Sequence, residues 1–153
     1  MGKPDEQDEN YVKILFRLER DADGYPPNDW ESVWAKVAGS GRYEIDNVPF
    51  YVRGVSWKDI VEAEERDEEY FFKRVVRPSG HSVLRIIVFK KDEVPALRER
   101  LIELGCSSEA SHIEGFLAVD VPPNVPLGRV RQYLDTGEQR EWWEYEEASL
   151  RQD

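Results

Sequence analysis

The chain is short of cysteine and histidine. It has one cysteine, Cys106, and two histidines in 153 residues. A single cysteine excludes an internal disulfide, and so few sulfur and nitrogen ligands argue against a zinc site. We therefore expect no metal and no cofactor, and a reducing cytoplasm suits such a composition.

Long apolar segments are missing as well. No stretch approaches the roughly 18 apolar residues of a membrane-spanning helix, and residues 1–10 are polar and acidic. These first residues lack the apolar core of a secretion signal. We expect neither a transmembrane segment nor export by a standard signal.

Positive charge is scarce relative to negative charge. The chain has 21 Lys and Arg against 32 Asp and Glu, for a net charge of −11 at pH 7. Such a balance opposes binding to nucleic acid and to anionic membranes, and it attracts basic partners. We therefore expect a basic protein partner, no direct contact with nucleic acid and no membrane association; the oligomeric state stays open.

Apolar and aromatic residues are abundant enough for a core. Hydrophobic residues make up 40% of the chain, which includes five Trp, seven Tyr and six Phe. This composition excludes global disorder. The length favours one domain, which we place at residues 11–150 after a disordered acidic tail at residues 1–10.

Alternating apolar residues predict a series of strands. The predicted strands are Tyr11–Glu19, Tyr43–Ile45, Phe50–Arg53, Asp59–Glu65, Tyr70–Arg77, Ser82–Phe89 and Ile113–Val121. The segment Ser82–Phe89 is apolar on both faces except for Arg85, which is typical of a central strand.

Three segments have helical spacing. The first begins at Asn28, a capping residue, and Glu31 completes a capping box. Its apolar stripe is Trp30, Val33, Trp34 and Val37. The other two run from Asp92 to Gly105 and from Pro126 to Gly137. For Glu141–Ser149 the pattern does not separate strand from helix.

These elements predict an α+β fold. It consists mainly of antiparallel sheet, with a ferredoxin-like βαβα second half and three helices.

Two acidic clusters carry flanking aromatics. The first is the run from Glu62 to Glu69, and the second interleaves five glutamates with aromatics between Glu138 and Glu147. Charge runs are usually solvated faces, but exposed aromatics among carboxylates also suit a protein interface. The predicted partner-binding residues are Glu62, Glu64, Glu65, Asp67, Trp142, Trp143, Glu144, Tyr145 and Glu146.

The alternative site lies at the turn before the central strand. His81 supplies an imidazole, a group suited to acid–base chemistry, and it shares a strand face with Arg85 about 13 Å away. Ser82 points to the opposite face, which argues against a local Ser–His pair. A structural hairpin, with Arg85 paired to a carboxylate, is favoured over catalysis, so no catalytic residue is predicted outside this alternative.

Ordered motifs along the chain resemble a bacterial family known as domain of unknown function 4265. They are Asn47-Val48-Pro49-Phe50, Gly54-Val55-Ser56-Trp57-Lys58-Asp59-Ile60-Val61, Ser79-Gly80-His81-Ser82-Val83-Leu84-Arg85 and Leu104-Gly105-Cys106, together with Glu31 and Trp34. The resemblance covers roughly residues 13–150. It implies a small bacterial cytoplasmic protein, and it supplies no activity or catalytic residues to transfer.

Two functions follow as hypotheses. The first is an acidic protein-binding module, an immunity- or antitoxin-type inhibitor that occludes a basic toxin acting on nucleic acid or another substrate. The alternative is a small-molecule-binding regulator or enzyme that uses a pocket near Ser79–Arg85. The first hypothesis, which does not involve catalysis, is favoured.

Overall fold

The computed structural model describes residues 10–152, so the predicted tail lies outside them except for Asn10. The Asn10 carbonyl accepts a hydrogen bond from the Val37 N–H at 2.7 Å. The chain divides into two compact units, one ending at Ser79 and the other beginning at Gly80. The division into two units does not test the prediction of a single domain over residues 11–150, which stays a prediction.

The first unit is a closed five-stranded barrel in which the strands follow one another in chain order. Consecutive strands are antiparallel, so with an odd number of strands the first and last run parallel where they meet, at Ile14–Tyr70 and Leu15–Phe71. The strands are β1 Tyr11–Arg17, β2 Trp30–Gly39, β3 Arg42–Ile45, β4 Ile60–Arg66 and β5 Glu69–Arg77.

Alternation along each strand fills the barrel. Ile14 and Phe16 of β1 point inward, as do Val33 and Ala35 of β2, and all four are at most 3% exposed. The residues between them point outward because successive side chains of a strand lie on opposite faces.

The helix predicted from Asn28 is wrong, because this segment is β2. It pairs with β1 over a seven-residue antiparallel ladder. Glu31 does not close a capping box, since its carboxylate accepts hydrogen bonds from the N–H groups of Phe50, Tyr51 and Val52. The strand face of Val33 and Ala35 fits the barrel core, and this tertiary pairing outweighs the helical spacing.

The second unit is a four-stranded antiparallel sheet in the order β7-β8-β6-β9. A 3₁₀ turn at Lys91–Glu93 precedes the first helix. The elements are β6 Ser82–Val88, α1 Val94–Glu103, β7 Ser107–Ala110, β8 Phe116–Val121, α2 Leu127–Gln139 and β9 Trp143–Ser149. The strand carrying Arg85 lies between β8 and β9, as predicted for a central strand.

One face of this sheet forms a core with both helices. Leu84 and Ile86 of β6 are fully buried there against Leu97 of α1 and Leu134 of α2. The opposite strand face carries the odd-numbered residues of β6, which are Val83, Arg85 and Ile87. The apolar stripes predicted for the two later helices therefore point into a core, as expected.

The α+β class and the mainly antiparallel sheet are confirmed, with two α-helices rather than three in the described residues. Phe50–Arg53 forms a loop around the Glu31 carboxylate instead of a strand. The short strand β7 was not predicted, and the segment left open near the C-terminus is strand β9. Neither α1 nor α2 has the length and apolarity that a bilayer crossing requires.

Candidate functional site

A cleft of about 590 Å³ opens in the second unit, where the segment after β6, the end of α2 and the start of β9 meet. It combines aromatic rings with carboxylates. The residues that line it are Phe89, Glu138, Glu141, Trp143, Glu144 and Tyr145.

The carboxylates of the cleft are exposed and lack cationic partners. Within residues 10–152, no ion pair is formed by Glu138, Glu141 or Glu144. Glu138 lies in the last turn of α2, which contains no basic residue, and there the helix dipole adds partial negative charge. Its Oε2 accepts the Tyr145 N–H at 3.2 Å. The cleft therefore holds three carboxylates that have no ion-pair partner among the described residues.

Trp143 belongs to the core and forms only the inner wall of the cleft. It is 2% exposed, and its Nε1–H donates to the Leu134 carbonyl at 2.9 Å. Its ring lies directly against Gly137. Trp143, one of the predicted partner-binding residues, is therefore a core residue that offers the cleft only a buried ring.

Trp142 is half-buried and already engages two cations of its own chain. The Lys90 ammonium lies 4.5 Å from its ring centroid and the Arg140 guanidinium 4.9 Å from it. These contacts are of cation–π type. They hold both cations on the indole ring.

Tyr145 is fixed by its hydroxyl. The phenol donates a hydrogen bond to Asp135 Oδ1 at 2.6 Å. Burial raises the pKa of the Tyr145 phenol well above its ordinary value, and the hydrogen bond to Asp135 adds to the shift. The phenol therefore stays protonated at neutral pH and offers the cleft a neutral, immobile ring.

Exposed apolar side chains adjoin these carboxylates. Phe89 is 54% exposed and Ile87 is 47% exposed. Ile87 pairs with Glu144 across β6 and β9, so apolar and acidic groups lie side by side. An apolar surface next to carboxylates is the composition of a protein-binding patch.

Glu146, one of the predicted partner-binding residues, pairs with a buried arginine of its own chain. Its Oε1 lies 3.8 Å from an Nη of Arg85, whose side chain is 2% exposed. Arg85 therefore has the carboxylate partner that a structural role predicts. Breaking this pair would leave a buried guanidinium without that charge.

The alternative site contains a partner that sequence reasoning did not identify. His81 Nδ1 lies 2.8 Å from Asp120 Oδ1, and both side chains are buried. The Ser82 hydroxyl accepts the Arg151 N–H at 2.9 Å. It lies on the helix-covered face, away from His81, as the strand alternation predicts.

Cys106 is not an activated nucleophile. The thiol is 3% exposed, and burial raises its pKa to about 12, with a further contribution from Asp120. The thiolate is the reactive form of cysteine, so this thiol is inert at neutral pH.

The first acidic cluster lies in the first unit, on the hairpin of β4 and β5. Glu62 is partly neutralised, since its Oε2 accepts a hydrogen bond from Arg74 at 3.1 Å. Glu64, Glu65 and Asp67 are exposed. All three belong to the first unit, whereas the aromatic cleft belongs to the second.

Only part of the cleft lining is among the predicted partner-binding residues. The segment from Glu138 to Glu147 was singled out, yet Glu138, Glu141 and Phe89 were not chosen. For Glu138 and Glu141 the sequence offers a sign, because they come directly after a predicted helix that has no basic residue in its last turn. Phe89 follows β6, and a hydrogen bond from its N–H to the Trp142 carbonyl at 2.8 Å brings it to the cleft.

A family model described as "Domain of unknown function (DUF4265)" matches residues 31–145. Among solved structures, a hypothetical protein from Neisseria gonorrhoeae is similar with a TM-score of 0.76 and 24% identity, covering 91% of this chain and 94% of its own. At that identity the likeness concerns the fold alone. No curated protein matches the chain.

Proposed function

The chain belongs to the DUF4265 family, a domain family of unknown function, and we propose that it is an acidic protein-binding module. Its binding site is the cleft of the second unit, and its ligand is a lysine or arginine side chain on the surface of a basic protein.

One observation carries this proposal. Glu138, Glu141 and Glu144 line a cleft with aromatic walls, and among the described residues none of them forms an ion pair. A folded protein gains nothing in stability from like charges beside a helix C-terminus. An incoming ammonium or guanidinium relieves this repulsion, and the aromatic rings contact its aliphatic stem.

The surface around the cleft favours a protein ligand over a small free amine. Phe89 and Ile87 supply exposed apolar area beside the carboxylates. Such area contributes affinity when it is covered, while the charges accelerate association and select for basic partners. The exposed acids Glu64, Glu65 and Asp67 of the first unit add to the long-range attraction.

A second candidate function is ligand binding or catalysis around His81. The observation in its favour is the Asp120 carboxylate, which orients the imidazole ring. Against it, His81 is only 9% exposed, and Arg85 lies next to Glu146 rather than acting as an open anion clamp. The cleft is therefore the better-supported site.

Two finer statements belong to the same proposal. The partner class is a basic toxin, so the protein is an immunity- or antitoxin-type inhibitor in the cytoplasm. The second unit has the element order β-α-β-β-α-β, and we assign it to the ferredoxin-like type on that order. The support is the acidic cleft for the first statement and the strand order for the second.

The test is binding of basic peptides and proteins to the full chain. Calorimetric titration with peptides rich in lysine or arginine is expected to show binding at about 0.1 M salt. This binding should weaken strongly at about 1 M, where the Debye length falls from about 10 Å to about 3 Å. The triple variant Glu138→Gln, Glu141→Gln, Glu144→Gln is expected to lose at least tenfold in affinity.

The matched control is Glu99→Gln, an exposed glutamate on α1 of the same unit. It should bind as the wild type does. Equal binding by the triple variant and by Glu99→Gln would refute the cleft as the site. For the inhibitor role, we expect the immobilised chain to capture a basic protein at low salt. Once purified, that basic protein should bind the wild-type chain but not the triple variant.

A further inference from the structure

The outer face of the barrel, in the first unit, carries cations and aromatic rings in alternation. On β1 and β2, Lys13 lies opposite Trp34 and Arg17 lies opposite Trp30. On β5, the outward residue Phe71 neighbours Leu15 of β1. We call the set formed by Lys13, Arg17, Trp30, Trp34, Arg66, Phe71 and Lys73 the cation–aromatic face.

These cations contact rings rather than carboxylates. The Lys13 ammonium lies 5.0 Å from the centroid of Trp34, and the Arg17 guanidinium 5.3 Å from that of Trp30. Arg66 lies 4.2 Å from Phe71. Within residues 10–152, Lys13, Arg17 and Arg66 form no ion pair, although the chain has 32 acidic residues. Their charge is therefore not neutralised locally.

Of the rings on this face, Trp30 is exposed and Phe71 is half-buried, whereas Trp34 is buried with 9% of its surface exposed. Trp30 is 42% exposed, and its centroid lies 5.7 Å from that of Phe71. Trp34 is four residues further along β2, about 13 Å away in an extended strand. Next to it a shallow cavity of about 480 Å³ is bordered by Tyr11, Val12, Lys13, Leu15, Trp34, Glu68, Glu69 and Tyr70.

We propose that the cation–aromatic face binds single-stranded nucleic acid. Aromatic rings on a sheet stack with unpaired bases, while neighbouring lysines and arginines pair with phosphates. A guanidinium plane lying on a ring also offers a stacking surface to a base. An acidic peptide would use the cations and leave the exposed rings without partners, so the combination favours nucleotides.

The net charge of −11 does not exclude this site. At physiological ionic strength the Debye length is about 8 Å, so a bound strand responds mainly to charges within that range. The carboxylates closest in the register are Glu64, which pairs with Phe71, and Glu69, which pairs with Arg66. Glu68 and Glu69 also border the cavity beside Lys13 and Trp34, so these carboxylates reduce the positive charge that a bound strand meets there.

The test measures binding of labelled oligothymidine and oligouridine of about 15 nucleotides to the full chain by fluorescence anisotropy. Binding is expected at about 0.05 M salt and should weaken as salt rises. The double variant Lys13→Ala, Arg17→Ala should reduce the slope of log K against log salt by about 1.4, since each phosphate contact on a single strand contributes about 0.7.

Two further variants separate stacking from charge. Trp30→Ala should lower affinity about 5- to 150-fold with an unchanged salt slope, the range for loss of one base–aromatic stack. Arg17→Lys retains the phosphate contact and should keep the slope. Arg129→Ala, which removes an exposed arginine from α2 in the other unit, should bind as wild type does.

Several results would overturn the proposal. These are absence of oligonucleotide binding at low salt, an equal effect of Arg129→Ala and of the double variant Lys13→Ala, Arg17→Ala, or binding of polyglutamate or anionic vesicles in place of oligonucleotides. The outcome is independent of the proposed function, because the triple glutamine variant of the cleft is expected to bind oligonucleotides at least as well as wild type.

Discussion

The indole ring of Trp143 fills the space that a side chain at Gly137 would need. A β-carbon added at Gly137 would overlap the six-membered part of the ring. This contact explains why α2 has a glycine near its end and why Trp143 is held in the core beside the cleft. The packing of the Trp143 ring against Gly137 also fixes the position of the acidic segment that follows α2.

Replacement of Gly137 by alanine should therefore destabilise the protein. We expect the free energy of unfolding to fall by about 1–3 kcal/mol, the usual cost of overpacking a core. Urea unfolding followed by tryptophan fluorescence measures it. The control is Gly128→Ala in the first turn of the same helix, where the added methyl group meets no atom within 4 Å. Equal stability of the two variants would contradict this explanation.

A second prediction concerns the carboxylate of Glu31. It accepts hydrogen bonds from three backbone N–H groups of the 50–52 loop, at 2.7, 3.0 and 2.9 Å. Glu31→Ala should destabilise the first unit by about 2–3 kcal/mol, since charge-assisted bonds are lost and amides lose their acceptor. Faster hydrogen exchange of the amides at 50–52 is the direct measurement. Ser32→Ala, at an exposed neighbouring position, should leave that exchange unchanged.

The role of Glu31 shows what local sequence cannot supply. Asn28, Glu31 and the spacing of Val33 and Val37 fit a capped helix, yet the segment is a strand. The deciding interactions are the ladder with β1 and a loop about 20 residues away. By contrast, the later helices and the central strand were predictable, because their own periodicity agrees with the packing around them.

The candidate site was predictable in part for the same reason. The acidic and aromatic segment after Glu138 is visible in the sequence, but burial sorts its members. Trp143 is taken by the core and Glu146 pairs with Arg85, whereas Glu144 stays exposed. Whether a residue of this segment is buried, paired or exposed depends on how α2 packs against β9. Composition therefore identifies the segment but not which of its carboxylates are exposed.

A third prediction follows from the Cys106 thiol. Its pKa in the folded chain is about 12, against an ordinary value of 9.0, because burial disfavours the thiolate. The unfolded state therefore loses its proton first, and stability is full below pH 9 and declines between about pH 9 and pH 12. The limiting slope from this group is about 1.4 kcal/mol per pH unit.

The measurement compares wild type with Cys106→Ala over that pH range. Raised pKa values of Tyr43, Tyr133 and Tyr145 cause a decline of the same sign in both proteins. Wild type should decline more steeply, beginning near pH 9. Folded protein at pH 8 should also react with iodoacetamide far more slowly than urea-unfolded protein, and similar rates would contradict burial of the thiol.

A final prediction concerns the turn between β4 and β5, where Asp67 and Glu68 have φ angles of 52° and 68°. This left-handed backbone favours glycine and asparagine, and it costs a glutamate about 1 kcal/mol. Glu68→Gly should therefore raise the free energy of unfolding by about that amount. Glu69→Gly is the control, because Glu69 is an ordinary strand residue and glycine there should lower stability by about 0.5–1 kcal/mol.

If both effects appear, the acidic residue at position 68 is one that the turn itself disfavours. Its charge then has a use outside folding, in keeping with attraction of a basic partner. Association kinetics check that step: Glu68→Gly should slow the association rate with such a partner at low salt and leave the dissociation rate nearly unchanged. A stable Glu68→Gly variant with wild-type association kinetics would show that the residue has no part in steering.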